Sequence, residues 1–244
     1  MNMRTSDPNL FLNEILIRLK STPRLGSGTS TFINPHSYRL LRKEPGILDS
    51  IDNVYVDGSL LVRCFKFFGI SVERVSLDMT SLAGPILARC SENQIPLDLV
   101  GGTPGTAQAA ARVFSDAFPG LKVRVVAAGY FPSEQDRQEL IGDLVARPSG
   151  VLLVGMGAVH QERFLADLRS AGWSGEGYTC GGFLHQTALG TVNYYPDWVD
   201  RLGLRWLYRI FDEPILIKRY LFLYPPAVAA FIFDAIAART MRRR

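Results

Sequence analysis

The sequence predicts an α/β fold, a mainly parallel sheet with helices on both faces, followed by a helical C-terminal appendage. Three observations lead there. Short β-rich runs alternate with stretches of helical length between Ser30 and Gly182, and glycine-rich segments follow several of those runs. The composition then changes near Tyr194, where aromatics, prolines and arginines crowd together through Tyr224. Strands that alternate with helices run parallel, and the helices cover both faces of the sheet they build. With 244 residues, 47% hydrophobic and 20% charged, the chain has the balance of a globular protein and enough apolar material for a core without cross-links.

Residues 1–29 open polar and carry Phe11, Leu12, Ile15, Leu16 and Leu19 at helical spacing. They then loosen into a Ser/Thr/Pro/Gly-rich stretch, which predicts a peripheral helix and a linker. An α/β body is expected over 30–193, with strands at 31–33, 53–56, 97–100, 123–127 and 151–154. Helices are expected at 36–44, 59–68, 77–93, 104–118, 133–146 and 158–171. The appendage is expected over 194–244. Its apolar run, 221–233, has thirteen residues and is interrupted by Pro225-Pro226, short of the about 20 that a membrane span needs. Interfacial helices lying on a bilayer are predicted, against the plainer reading of a buried C-terminal helix.

Charge supports the division. The net charge is +4, but from Arg201 onward nine Lys/Arg stand against three acids, a local net of +6 on a body of −2. A basic end of this kind suits an anionic membrane surface or another polyanion. Cys64, Cys90 and Cys180 form no C-x-x-C pair, so neither a disulfide framework nor a cysteine-built zinc site is expected and a reducing compartment follows. The first residues lack the pattern of a signal peptide, and export is not expected.

The unusual residues follow the strands. Asp57-Gly58-Ser59, Gly101-Gly102-Thr103-Pro104-Gly105, Gly129-Tyr130-Phe131 and Gly155-Met156-Gly157 all fall where a parallel sheet presents its carboxyl ends, the place where ligands bind. A glycine-rich turn into a helix leaves backbone N–H groups bare for phosphate, though such turns also serve merely to reverse the chain. Gly155-Met156-Gly157 does not complete a dinucleotide fingerprint, and no P-loop lysine is present, which disfavours nicotinamide cofactors and triphosphate hydrolysis. Asp57 at a strand end suits a general base; the competing reading is a helix cap or Asx turn. Glu162 reads as ordinary dipole matching in the first turn of a helix. His36, His160 and His185 share no metal-ligand spacing, and the absence of an Asp-x-Asp triplet argues against a carboxylate pair holding a metal on a nucleotide diphosphate.

In order along 30–224, the segments Asn34-Pro-His-Ser, Val56-Asp57-Gly58, Glu73-Arg74-Val75 with Asp78, and Gly101-Gly102-Thr103-Pro104-Gly105 appear first. Gly129-Tyr130-Phe131, Val154-Gly155-Met156-Gly157 with Gln161-Glu162, and Leu204-Arg205-Trp206-Leu207-Tyr208-Arg209 with Glu213-Pro214 and Arg219-Tyr220 follow. This ordered set resembles the WecG/TagA/CpsF glycosyltransferases. The resemblance implies a Rossmann-like body and transfer of a sugar, of N-acetylmannosamine type, a uronic acid or a hexose, from a UDP-sugar to a polyprenyl-diphosphate-linked saccharide. The place implied is the cytoplasmic face of the membrane, in exopolysaccharide, capsule or wall polymer synthesis. It implies catalytic roles for Asp57, Arg74 and Gln161, with Asp57 as base. Asn34, Asp78, Gly101, Gly102, Thr103, Gly129, Tyr130, Phe131, Gly155 and Gly157 fall in segments expected to line the cleft.

Three departures mark a branch with a different sugar or acceptor. Phe32 stands two positions before the motif asparagine where many members have Thr. The Gly-Gly-x-Phe-Asp segment reads Gly181-Gly182-Phe183-Leu184-His185-Gln186, and the Arg-Ala-Pro and Leu-Glu-Trp segments read Tyr194-Tyr195-Pro196 and Leu204-Arg205-Trp206. The chemistry expected is inverting and metal-independent, with no cofactor: Asp57 takes the acceptor proton while backbone N–H groups, Arg74, Arg209 and Arg219 meet the charge of departing UDP. Arg209 and Arg219 equally suit a membrane-facing helix. His185 could donate to a sugar hydroxyl or be a satisfied structural histidine. No nucleic-acid partner is expected, and homo-oligomerisation stays open. The alternative function is a catalytically inert nucleotide-sugar-binding partner of a polysaccharide assembly complex.

Overall fold

The computed structural model describes residues 8–26, 28–44, 46–148, 150–189, 199, 207–208 and 216–241. Six parallel strands, β1 (Thr29–Ile33), β2 (Asn53–Val56), β3 (Leu97–Gly101), β4 (Val123–Ala127), β5 (Val151–Gly155) and β6 (Glu176–Thr179), form one sheet in the order β2-β1-β6-β5-β3-β4. Every residue of β1, β2, β3, β5 and β6 is buried, as a parallel sheet covered on both faces requires. β6 was not among the predicted strands. Its Glu-Gly-Tyr-Thr sequence has no apolar run, and it is held at the centre of the sheet by neighbours on both sides.

The helices divide between the two faces. On one lie α1 (Pro8–Arg18), α2 (Pro35–Leu41), α3 (Ser59–Phe67), α6 (Glu134–Ala146) and α7 (His160–Ser170), which pack Ile15, Tyr38, Phe65, Ile141 and Phe164 against Ile33, Val54, Leu152 and Val154. On the other lie α4 (Ala83–Glu92), α5 (Thr106–Ala117) and α8 (Phe183–Ala188), which pack Ile86, Phe114 and Phe183 against Phe32, Tyr55, Leu99 and Leu153. The β3–α5–β4 crossover moves toward one edge of the sheet and β5–α7–β6 toward the other. Right-handed crossovers in opposite directions fall on opposite faces, so the chain parts above and below the sheet at the ends of the adjacent strands β3 and β5. That divergence is the crevice in which doubly wound sheets bind ligands.

The two ends of the described chain meet. α1, predicted as peripheral, instead buries Phe11, Leu12 and Ile15 in the core, because a second helix covers it. That helix is α9 (Tyr224–Met241), preceded by a helical turn Leu216–Lys218 and a π-helical turn Arg219–Leu223. Phe231 of α9 inserts edge-on among Tyr38, Phe65 and Phe68, with ring centroids 5.4, 4.7 and 6.0 Å away. The predicted break at Pro225-Pro226 does not occur. Both prolines fall in the first turn of α9, where a missing N–H costs least, and the carbonyls four residues earlier belong to the wider π turn. The expected domain boundary near Tyr194 lies outside the described residues.

Candidate active site

The crevice between β3 and β5 is lined by backbone. Gly101 has φ +150°, and a Cβ there would stand 2.6 Å from the Gly155 carbonyl oxygen and 2.7 Å from its Cα and N, closer than any side chain tolerates. Gly102 N–H donates to the Gly155 carbonyl at 3.0 Å, and Gly129 N–H donates to the Gly102 carbonyl at 2.8 Å. Three strand ends are thereby zipped together through glycine backbone. Thr103 and Thr106 hydroxyls lie 2.9 Å apart at the start of α5. Gly157, with φ +81°, has open space around it. Tyr130 is 74% exposed beside this turn. Phe131 stacks on Phe164 of α7 with ring centroids 5.9 Å apart.

At the edge strand β2 stands the acid predicted as base. Asp57 follows β2, its N–H donating to the Ile33 carbonyl at 2.7 Å. The segment around Arg74 runs alongside: Val56 and Arg74 pair in parallel, and Val75 N–H donates to the Val56 carbonyl at 3.0 Å. Arg74 Nη2 consequently reaches Asp57 Oδ1 at 3.4 Å, Asp78 Oδ2 at 3.2 Å and Ser76 Oγ at 2.8 Å. Asp78 is further held by the Ser76 hydroxyl at 2.7 Å and by the Thr80 N–H and hydroxyl at 3.0 and 2.6 Å. Two carboxylates share one guanidinium, and Asp57 keeps a third of its side chain, 35%, in solvent. Asn34 lies beside Gly58 and caps α2: its Oδ1 accepts from the N–H groups of His36 and Ser37 at 3.0 and 3.1 Å, while Ser37 Oγ accepts from the Asn34 N–H at 2.9 Å.

Between these two ends of the rim is a buried polar cluster whose key member was read in the sequence as mere dipole matching. Glu162 has no exposed surface. Its Oε1 accepts from the Thr31 hydroxyl at 2.7 Å and from Gln161 Nε2 at 3.1 Å, its Oε2 from the Val159 N–H at 2.7 Å, and Thr31 lies 3.0 Å from the Thr179 hydroxyl. Burial pushes its carboxyl above the ordinary value, against the lowering effect of these donors. Gln161, expected to be catalytic, is 5% exposed. Its Oε1 accepts from the Gly181 N–H at 3.2 Å, so the amide rivets the loop after β5 to the loop after β6. Val159, which opens this turn, has φ +76°, a strained conformation for a β-branched residue and one that concentrates at functional sites. Nothing in the sequence pattern marks it.

The remaining predicted residues are placed as follows. His185 is exposed on α8, just past the Gly181-Gly182 turn. Arg219 opens the π-helical turn, and Arg209 lies outside the described residues. Cys180, in contact range of Gly155, is buried with its thiol pushed up to about 12, which removes it as a nucleophile. Among the described residues no cluster of three His, Cys, Asp or Glu side chains is placed to hold a metal ion. Along the sheet, Asp57 is three inter-strand spacings from Gly155 and four from Gly101, about 14–19 Å at the usual spacing.

A doubly wound parallel sheet with a glycine-lined crevice at its switch point, and a half-open carboxylate on the same rim, defines a group-transfer enzyme of the nucleotide-binding α/β class. The chain belongs to the glycosyl transferase WecG/TagA/CpsF family, which matches residues 3–241. It is therefore a glycosyltransferase. It is also similar to the UDP-Gal:alpha-D-GlcNAc-diphosphoundecaprenol beta-1,4-galactosyltransferase of Shigella boydii, at 31% identity over 225 residues covering 88% of this chain and 94% of that protein.

Proposed function

We propose that this glycosyltransferase moves a hexose, galactose in the first instance, from a UDP-sugar to an N-acetylglucosamine-type saccharide on undecaprenyl diphosphate. The likeness to the Shigella galactosyltransferase supports the donor and acceptor. The observation that carries the mechanism is the placing of Asp57 and the glycine crevice on one rim, about 14–19 Å apart, with Arg74 between two carboxylates. The nucleotide end of the donor occupies the crevice, against the backbone N–H groups of the loops after β3 and β5 and the N-terminus of α7. The sugar reaches toward Asp57.

An acceptor hydroxyl attacks the anomeric carbon from the face opposite UDP, forming the new C–O bond as the bond to the diphosphate oxygen breaks. Asp57 takes the hydroxyl proton, and the configuration inverts. Arg74 steadies Asp57 as an orienting cation. The charge on departing UDP is met by backbone donors and by the arginines Arg209 and Arg219 of the C-terminal segment.

An acceptor carried on a lipid supports action at a membrane, and the face proposed is the cytoplasmic one. Outside its packed face, α9 and the turn before it expose Leu221, Phe222, Ile232, Phe233 and Ile236, while Arg239 and Arg242-Arg243-Arg244 close the chain with positive charge. The decisive experiment is transfer by the full chain from a panel of UDP-sugars to GlcNAc-diphosphoundecaprenol. Galactosylated lipid with a β linkage is expected from UDP-galactose. Absence of transfer from every UDP-sugar, with binding retained, would identify an inert binding partner instead.

A further inference from the structure

The stretch Tyr220–Thr240 is 21 residues long and, by length and composition, apolar enough to cross a membrane. Its prolines do not divide it, since α9 runs on through them. What distinguishes it from a span is one residue. Asp234 is the sole charged side chain between Arg219 and Arg239, and it is fully buried against the body. Its Oδ2 accepts from Arg42 Nε and from the Tyr38 hydroxyl, both at 2.7 Å, and its Oδ1 accepts from Arg42 Nη2 at 2.7 Å. All three donors belong to α2 or the residue that ends it.

We infer that Asp234, Arg42 and Tyr38 form a topology latch: they keep the C-terminal helix docked along the body, so that it offers its outer face to a bilayer surface instead of crossing the bilayer. The inference rests on the membrane association proposed above and adds what sets its geometry. Asp234 lies four residues past the midpoint of the apolar stretch, so a spanning helix would carry a bare carboxylate into hydrocarbon, where aspartate is strongly disfavoured. Docked, the same carboxylate has a two-pronged guanidinium and a phenol, the arrangement in which a buried charge is tolerated. Burial and the neighbouring Asp234 push the Tyr38 hydroxyl well above its ordinary range, so it remains a donor. The docked face is otherwise apolar: Ala227, Phe231 and Ala235 are buried. At its far end, Arg239 donates to the Phe68 carbonyl at 2.6 Å and lies over the Phe68 ring. The latch also fixes α9 relative to the rim, because α2 begins at the Asn34 cap beside Gly58.

The test uses the full chain in bacterial membranes washed with alkaline carbonate, which releases peripheral proteins and leaves spanning ones. Wild type is expected in the membrane pellet before the wash and in the wash afterwards. In Asp234→Leu the ratio of resistant to released protein should rise roughly a hundredfold, the partition factor that corresponds to the insertion penalty of a mid-helix aspartate. Should Asp234→Leu misfold, Arg42→Met decides. It leaves Asp234 on the helix without its cation, so the protein should remain extractable while hydrogen exchange across 227–238 accelerates at least about tenfold. Carbonate resistance of wild type, unchanged extraction of a folded Asp234→Leu, or unchanged exchange in Arg42→Met each overturns the latch. Failure of wild type to reach membranes at all overturns the latch together with the membrane reading, whereas wild-type association with an unresponsive Asp234→Leu sinks the latch alone.

Discussion

Asp57 and Asp78 share Arg74 unequally. Asp78 is held by Ser76 and Thr80 as well, whereas Asp57 meets the guanidinium at 3.4 Å, beyond a tight hydrogen bond, and stays partly in solvent. The first is thereby fixed against Arg74, and the second keeps the solvent-facing side that the proposed base role requires. Asp57→Asn should keep the fold and donor affinity but lose about 10²–10⁴-fold in kcat, measured by radiolabelled sugar transfer to a short-chain acceptor; full activity would remove Asp57 from the role. Transfer should also survive EDTA, since arginines and backbone donors are assigned the diphosphate charge; activity lost on chelation and restored by Mn²⁺ would assign that task to a metal. At Gly101 the expectation is steric. Gly101→Ala must push a methyl into the Gly155 backbone at 2.6 Å, costing about 1–3 kcal/mol, visible as a lower Tm and a weaker affinity for UDP. Asp57 and the glycines were legible in the sequence because a strand-end position follows from local pattern alone. Glu162 was not, since its burial comes from Thr31, 131 positions away.

Five of the six strands are short runs rich in β-branched and aliphatic residues, and pattern reading finds them. β6 escapes because its place between β1 and β5, rather than its own residues, makes it a strand. The same holds for α1, whose apolar positions were visible but whose cover, α9, comes from the opposite end of the sequence. The prolines of α9 misled for a related reason: their effect depends on whether they fall in a helix interior or a first turn, and the π turn that settles it carries no sequence signature. For the membrane surface, the terminal arginines provide a clean test at this scale. Replacing Arg242, Arg243 and Arg244 with alanine should weaken sedimentation with anionic vesicles by about 3 kcal/mol, on the order of a hundredfold, and added salt should mimic the change. Equal binding of both proteins would show that the outer apolar face acts without the charge.

Across the whole molecule, Glu162 links stability to pH. Burial makes the folded chain hold the Glu162 proton to higher pH than the unfolded chain does, so between the ordinary value of 4.5 and the raised one the folded state binds more protons. Stability from this group is therefore complete below that window and declines as pH rises through it. Glu162→Gln removes the titration, and the Tm difference between wild type and variant should shift against wild type as pH rises above 4.5; a pH-independent difference would mean that the carboxyl titrates alike in both states.

The strand order carries a consequence for biosynthesis. β1 leaves the ribosome well before β6, one of its two neighbours in the sheet, with Thr31 and Thr179 separated by 148 positions. At about 5–20 residues per second, roughly 7–30 s pass before that partner is made. Throughout that interval the nascent β1–β2 unit has an open seam, and Tyr38, Phe65 and Phe68 wait longer still for Phe231. Release after Asp200 should therefore yield an aggregating fragment rather than a soluble body. Synthesis of α9 is the event that brings Phe231 to those rings and closes this part of the core.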